Sequence, residues 1–108
     1  MVFFFDFLWR KGVRRIIKLI VDDTREPSHS DETIEKAIVR FEVELLDWRK
    51  TDLCNETIVK GAPHVEQVWL YWSGNNAVLR GWSEPEGLVR LAKLKQVHLH
   101  AKLVSFVH

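Results

Sequence analysis

Cysteine is nearly absent from this 108-residue chain: Cys54 stands alone. A single thiol excludes an internal disulfide and any zinc site built from several cysteines. An excess of one charge is also lacking, since sixteen Lys and Arg side chains against fifteen Asp and Glu leave a formal net charge of +1. No global field then draws the chain to nucleic acid or to an anionic membrane. The one basic cluster, "RKGVRRIIK" from Arg10 to Lys18, reads as a solvated surface beside a strand. Long apolar runs are missing too. The opening "MVFFFDFLW" is broken by Asp6 and falls well short of the roughly 20 apolar residues that span a bilayer. Its positive charges follow the apolar run, the reverse of a secretory signal, so a cytoplasmic chain without a membrane partner is expected. No linker or low-complexity stretch divides it. A single domain of this size buries roughly two-thirds of the surface its unfolded chain exposes.

What is present is an alternation of strand-like and helix-like segments. "VRRIIKLIVDD" is rich in β-branched residues and predicts a strand at about 14–21. "REPSHSDETIEKAIVRF" follows, with Ser28 or Ser30 as N-cap, acids in the first turn, and Ile34, Ala37, Ile38 and Phe41 at helical spacing. "EVELLDW" predicts a second strand. "TDLCNETIVKGAP" predicts a short helix capped by Thr51 or Asp52 and stopped by Gly61 and Pro63. "VEQVWLYW" is a third strand, and "SEPEGLVRLAKL" predicts a helix opened by a Ser83–Glu86 capping box. "QVHLHA" is a fourth strand, "KLVSFVH" remains unassigned, and "FFFDFLWRKG" predicts a short helix ending at Gly12.

This order implies an α/β fold: a small, four-stranded, mainly parallel sheet with right-handed crossovers. The strands recur roughly every 24 to 30 residues, close to leucine-rich repeats, and "LVRLAKLKQVHLH" shares something of their phrasing. The asparagine ladder is missing, so a solenoid-like packing of βα units is expected and not membership of a repeat family.

The strand faces are unequal. One set of alternating positions holds Ile17, Leu19 and Val21; Val43 and Leu45; Val68, Leu70 and Trp72; Val97 and Leu99. The other holds Ile16, Lys18 and Ile20; Glu42, Glu44, Leu46 and Trp48; Gln67, Trp69 and Tyr71; Gln96, His98 and His100. A sheet covered on both sides has nearly continuous apolar strands, which these are not. The helices are therefore expected mostly on the first face. The second becomes an interaction surface built from Trp48, Trp69, Tyr71, His98 and His100, with Glu42 and Glu44 supplying charge. Such a patch calls for a cover. The candidates are the N-terminal aromatics Phe3, Phe4, Phe5, Phe7 and Trp9, a partner protein, or a second copy.

Signals for chemistry are sparse. Parallel sheets place ligands at the carboxyl ends of their strands, where this chain carries Asp22, Asp23, Asp47 and Ser73. With Lys102, that set resembles the Mg²⁺-dependent phosphoacceptor site of response-regulator receivers, and carboxylates suit that hard cation. A βα unit of that fold is missing between Asp23 and Asp47, and capping of helices and turns accounts for the same acids. His98 and His100 face the same way but bring no third metal ligand. Cys54 in a first helical turn has no histidine set beside it. "SGNN" has neither the glycines nor the Lys-Ser/Thr of a phosphate loop. Arg80, Trp82 and Arg90 suit stacking within the chain as well as ligand binding. No cofactor is implied.

Three phrases carry a family resemblance: "VDDTREPSHSDETIEKAI", "LDWRKTDLCNETI" and "LYWSGNNAVLRGWSEPEGL". Over roughly residues 7–101 they resemble a region of large fungal intracellular proteins that carry a subtilisin-like serine peptidase domain further along. The resemblance implies an accessory region of a larger polypeptide. It supplies no catalytic residue, because the glycine-rich phrases around a peptidase Asp, His and Ser are absent near Asp22, His29 and Ser73. The expectation is a non-enzymatic protein-interaction module, with a truncated receiver-like cation-binding domain at Asp22, Asp23 and Asp47 as the alternative.

Overall fold

The computed structural model describes residues 2–25 and 27–101; Lys102 and the rest of "KLVSFVH" lie outside the described residues. Helix α1 (Val2–Arg10) precedes strand β1 (Arg15–Asp22), helix α2 (Asp31–Ile38), β2 (Glu42–Arg49), α3 (Asn55–Gly61), β3 (Gln67–Trp72), α4 (Asn76–Ser83) and β4 (Gln96–Ala101). A single 3-10 turn at Leu88–Arg90 links α4 to β4. All neighbouring strands are parallel, in the spatial order β1-β2-β3-β4. This is the expected α/β fold. With each strand laid beside its predecessor, right-handed crossovers carry every connecting helix to the same side. The helices accordingly touch one another in a layer, α1 on α2, α2 on α3, and α3 and α4 on the 3-10 turn.

Local chemistry accounts for the helix starts. Ser30, one of the two expected caps, accepts from the Thr33 N–H at 3.2 Å and opens α2. Thr51 and Asp52 do not cap α3, whose N-cap is Cys54. Asp52 instead adopts a left-handed backbone (φ 59°) and accepts from the Ser73 N–H at 3.0 Å and the Ser73 hydroxyl at 2.5 Å. It ties the loop after β2 to the end of β3. The fourth helix also differs from expectation. Asn75 caps it by accepting from the Ala77 N–H at 2.9 Å, and Ser83, expected to begin a helix, ends this one. Gly74, at φ 100°, supplies the bend that lets Asn75 reach that role. Pro85 and Gly87 then confine the sequel to one 3-10 turn.

The core lies between sheet and helix layer. Its fully buried side chains include Phe5, Ile34, Ile38, Val43, Leu46, Trp48, Ile58 and Val68. Leu46 and Trp48 belong here and not to the open face, which corrects the strand-face assignment of β2. Strict alternation fails because β1 and β2 slip together. Ile16 pairs Val43 and Leu19 pairs Leu46, while Ile17, opposite Glu44, is 69% exposed. One residue of phase is lost in each strand at the same level, so the pairing survives while the inward set changes from odd to even numbers in β2. Leu45 turns outward as a result.

The N-terminal aromatics are not a lid on the open face. Phe5 inserts on the helix side, stacking on Trp48 (centroids 6.2 Å apart) and meeting Phe41 at 5.9 Å. Trp9 packs edge-on against Phe41 under the guanidinium of Arg14, 3.4 Å from its ring. Phe3, Phe4 and Phe7 point to solvent.

Candidate interaction surface

The open face is assembled by register. Trp69 of β3 stands beside His98 of β4, and Tyr71 beside His100. The Trp69 and His98 rings stack at 4.1 Å with 14° between planes; Tyr71 and His100 tilt together at 5.6 Å. The Nε2 atom of His98 is buried without a hydrogen-bond partner. Stacking therefore holds the imidazole in place. Lys18 and Ile20 of β1, and Leu45 and Asp47 of β2, extend the same face.

Asp47 organises the upper part of this surface. Its carboxylate accepts the Tyr71 hydroxyl at 2.6 Å and the Arg49 guanidinium at 3.4 Å, and it is only 5% exposed. Burial, together with the hydrogen bond and charge of Asp47, raises the Tyr71 phenol above its ordinary range. Arg49 is likewise held charged by Asp47. The lower part is ionic. Arg15 bonds Glu44, Lys95 meets Glu66 at 2.9 Å, and Lys93 lies 3.8 Å from Glu42. Between these pairs a concavity of about 480 Å³ is floored by Leu45, Gln67 and Gln96. Of the residues expected here, Trp69, Tyr71, His98, His100, Glu42 and Glu44 are in place. Trp48 is absent from the surface, being 1% exposed in the core.

The acidic set does not converge. Asp22 is exposed and accepts from the Thr24 backbone and hydroxyl. Asp23 turns into the helix side and Asp47 into the opposite face, so the sheet itself separates them. Among the described residues, no group of three or more His, Cys, Asp or Glu side chains is set to hold a metal ion. Cys54 is half-buried with Asn55 Oδ1 3.8 Å from its sulfur. Trp82 is a core residue whose indole donates to the Leu53 carbonyl, and Arg90 pairs with Glu56.

One cluster was not legible in the sequence. Asp23, 6% exposed, accepts the Trp48 indole N–H at 2.9 Å, the His29 backbone N–H at 3.2 Å, and lies 2.9 Å from His29 Nδ1. Burial drives its carboxyl up, but the bonds from Trp48 and His29 outweigh this and leave it below the ordinary aspartate range. A buried aspartate orienting a histidine is two-thirds of a hydrolytic triad. Among the described residues no serine is hydrogen-bonded to His29: Ser30 Oγ is engaged by Thr33, Ser73 by Asp52, and Ser83 by the Leu79 carbonyl. The cluster is a clamp that fastens the loop after β1 to the sheet. An acid at the end of an apolar strand was its only outward sign.

Comparison of the chain with protein-family models, curated proteins and solved structures returns no match.

Proposed function

We propose that this chain is a non-enzymatic interaction module whose open sheet face docks a protein partner. The partner is another region of a larger parent polypeptide or a second copy. The reading is carried by one observation: the Trp69–His98 stack and the Tyr71–Asp47 bond are held in order on a sheet face that no helix among the described residues covers. Rigid aromatic rings bind partners with little loss of side-chain freedom, and tryptophan and tyrosine dominate the energy of many interfaces. The docking set is Trp69, Tyr71, His98 and His100, flanked by Glu42 and Glu44; Asp47 takes the place in it that sequence reading gave to Trp48. The three phrases that resemble fungal proteins with a subtilisin-like peptidase domain are the reason to place it as an accessory, non-catalytic region of such a parent.

A photo-crosslinking residue tests this when placed at His100 on the open face and, separately, at Phe3 on the helix side. Expressed in the source cells, the first should join one defined protein segment, and the second should not. Adding Trp69→Ser and Tyr71→Ser should abolish that product while the thermal unfolding transition stays cooperative. Equal products from both positions, or loss of folding in the double variant, would end the proposal.

A further inference from the structure

The two edges of the sheet differ in their protection. Edge strand β1 carries Arg15, Lys18 and Asp22, charges that oppose pairing with another chain. Edge strand β4 reads Gln-Val-His-Leu-His-Ala and has no Asp, Glu, Lys, Arg or Pro. Among the described residues nothing pairs with its outer side. The Gln96 N–H is directed to the carbonyl of Glu66, the residue before β3. By the alternation of a parallel ladder, the N–H and C=O groups of Val97 and Leu99 then face outward. Within the described residues these groups have no backbone partner, and such an edge is a template for pairing with another strand.

The side chains limit which strand. Val97 and Leu99 point to the helix side, yet each is 48% exposed, because the helix layer stops short of β4. They border an apolar groove of about 300 Å³ formed with Leu70, Trp82, Leu88 and Val89. An incoming strand must therefore present apolar residues on the helix side and polar ones on the other. β4 itself has that pattern.

We infer that β4 pairs antiparallel with β4 of a second copy, joining two four-stranded sheets into one of eight strands. Directly opposed residues in an antiparallel pair share a face. Registers that set Val97 against His100 are thereby excluded, since they oppose the two faces. The register centred on His98 sets Val97 against Leu99 of the second copy, twice, and His98 against its own copy. Both apolar pairs fall where the backbone groups face outward. Charge permits the match: Lys95 lies opposite Ala101 of the second copy, about 20 Å along the strands from the other Lys95. Both apolar grooves meet on one side of the two-fold axis, and both Trp69–His98 stacks meet on the other. The seam shares His98 and His100 with the docking set, but it rests on the β4 backbone with Val97 and Leu99, whereas docking rests on Trp69 and Tyr71, so substitutions at the two pairs of positions test each separately.

The test is complementation of charge across the pair. The wild-type chain at tens of micromolar should show twice the 12.7 kDa mass of one chain in sedimentation equilibrium. Val97→Lys and Leu99→Glu should each weaken self-association at least tenfold. Mixing the two should restore a heterodimer, because Lys at 97 then faces Glu at 99. His98→Cys in a Cys54→Ser background should form a disulfide-linked dimer on mild oxidation, whereas Ile20→Cys near the other edge should not. This covers the case in which a charged variant fails to fold. A monomer at high concentration, or dimers unaffected by both charge variants, would overturn the inference and leave the groove to a different segment. Failure of the mixed pair to associate would overturn the register.

Discussion

Asp23 sits where the sheet hands the chain to its first long loop, and three donors converge on it. Replacement by Asn keeps one acceptor oxygen but turns an amide N–H₂ toward a donor. Asp23→Asn should therefore lose about 1–3 kcal/mol of stability, read from denaturant midpoints. The pH dependence follows from the lowered carboxyl. Its contribution is complete above the unfolded value of about 3.9 and is lost as pH falls through the lower folded value. Acid melts of the wild type should show a larger loss below about pH 4 than those of the Asn variant, which keeps only the share of the other lowered carboxyls such as Asp22 and Glu66. Tyr71 gives the opposite sign. Its raised phenol favours the neutral form, so the contribution is whole below about pH 10 and disappears as pH rises through the folded value. As the chain has one tyrosine, absorbance at the phenolate band reports it alone. The transition should lie above the ordinary range and move down in Asp47→Asn, in which the acceptor is no longer charged.

At the level of elements, α4 and the turn after it are joined by a close backbone approach. A Cβ on Gly87 would stand 2.3 Å from the Gly81 carbonyl oxygen and 2.6 Å from that of Trp82. Backbone cannot yield as a flexible side chain does. Gly87→Ala should destabilise by at least about 2 kcal/mol, with loss of the Trp82 environment in near-ultraviolet dichroism. Sequence reading located all four strands, the order of elements, α1 and the Ser30 cap, because apolar periodicity and capping chemistry are local signals. It misplaced α4, because Asn75-Asn76 reads equally as turn and as helix start, and the Ser83–Glu86 spacing imitates a cap. It also misassigned Leu46 and Trp48. The slip at Ile17 and Glu44 is a cooperative property of two paired strands, and neither strand records it alone. Trp69, Tyr71, His98 and His100 were readable because β3 and β4 keep strict alternation and register. The Asp23–His29–Trp48 clamp was not, since it joins a strand end, a loop and the next strand.

For the whole molecule, the simple strand order means that each strand needs only the one made before it. Among the described residues, six of the nine largest fully buried side chains (Phe5, Ile34, Ile38, Val43, Leu46 and Trp48) precede residue 50. Most of the largest buried side chains are thus encoded in the first half of the chain. Synthesis runs in that direction, at about 5–20 residues per second. A ribosome-bound chain that has released β2 has therefore already supplied most of these side chains before β3 and β4 emerge. Assembly can proceed as growth from the amino end, with the last strand exposed on the rim only once the rest is set.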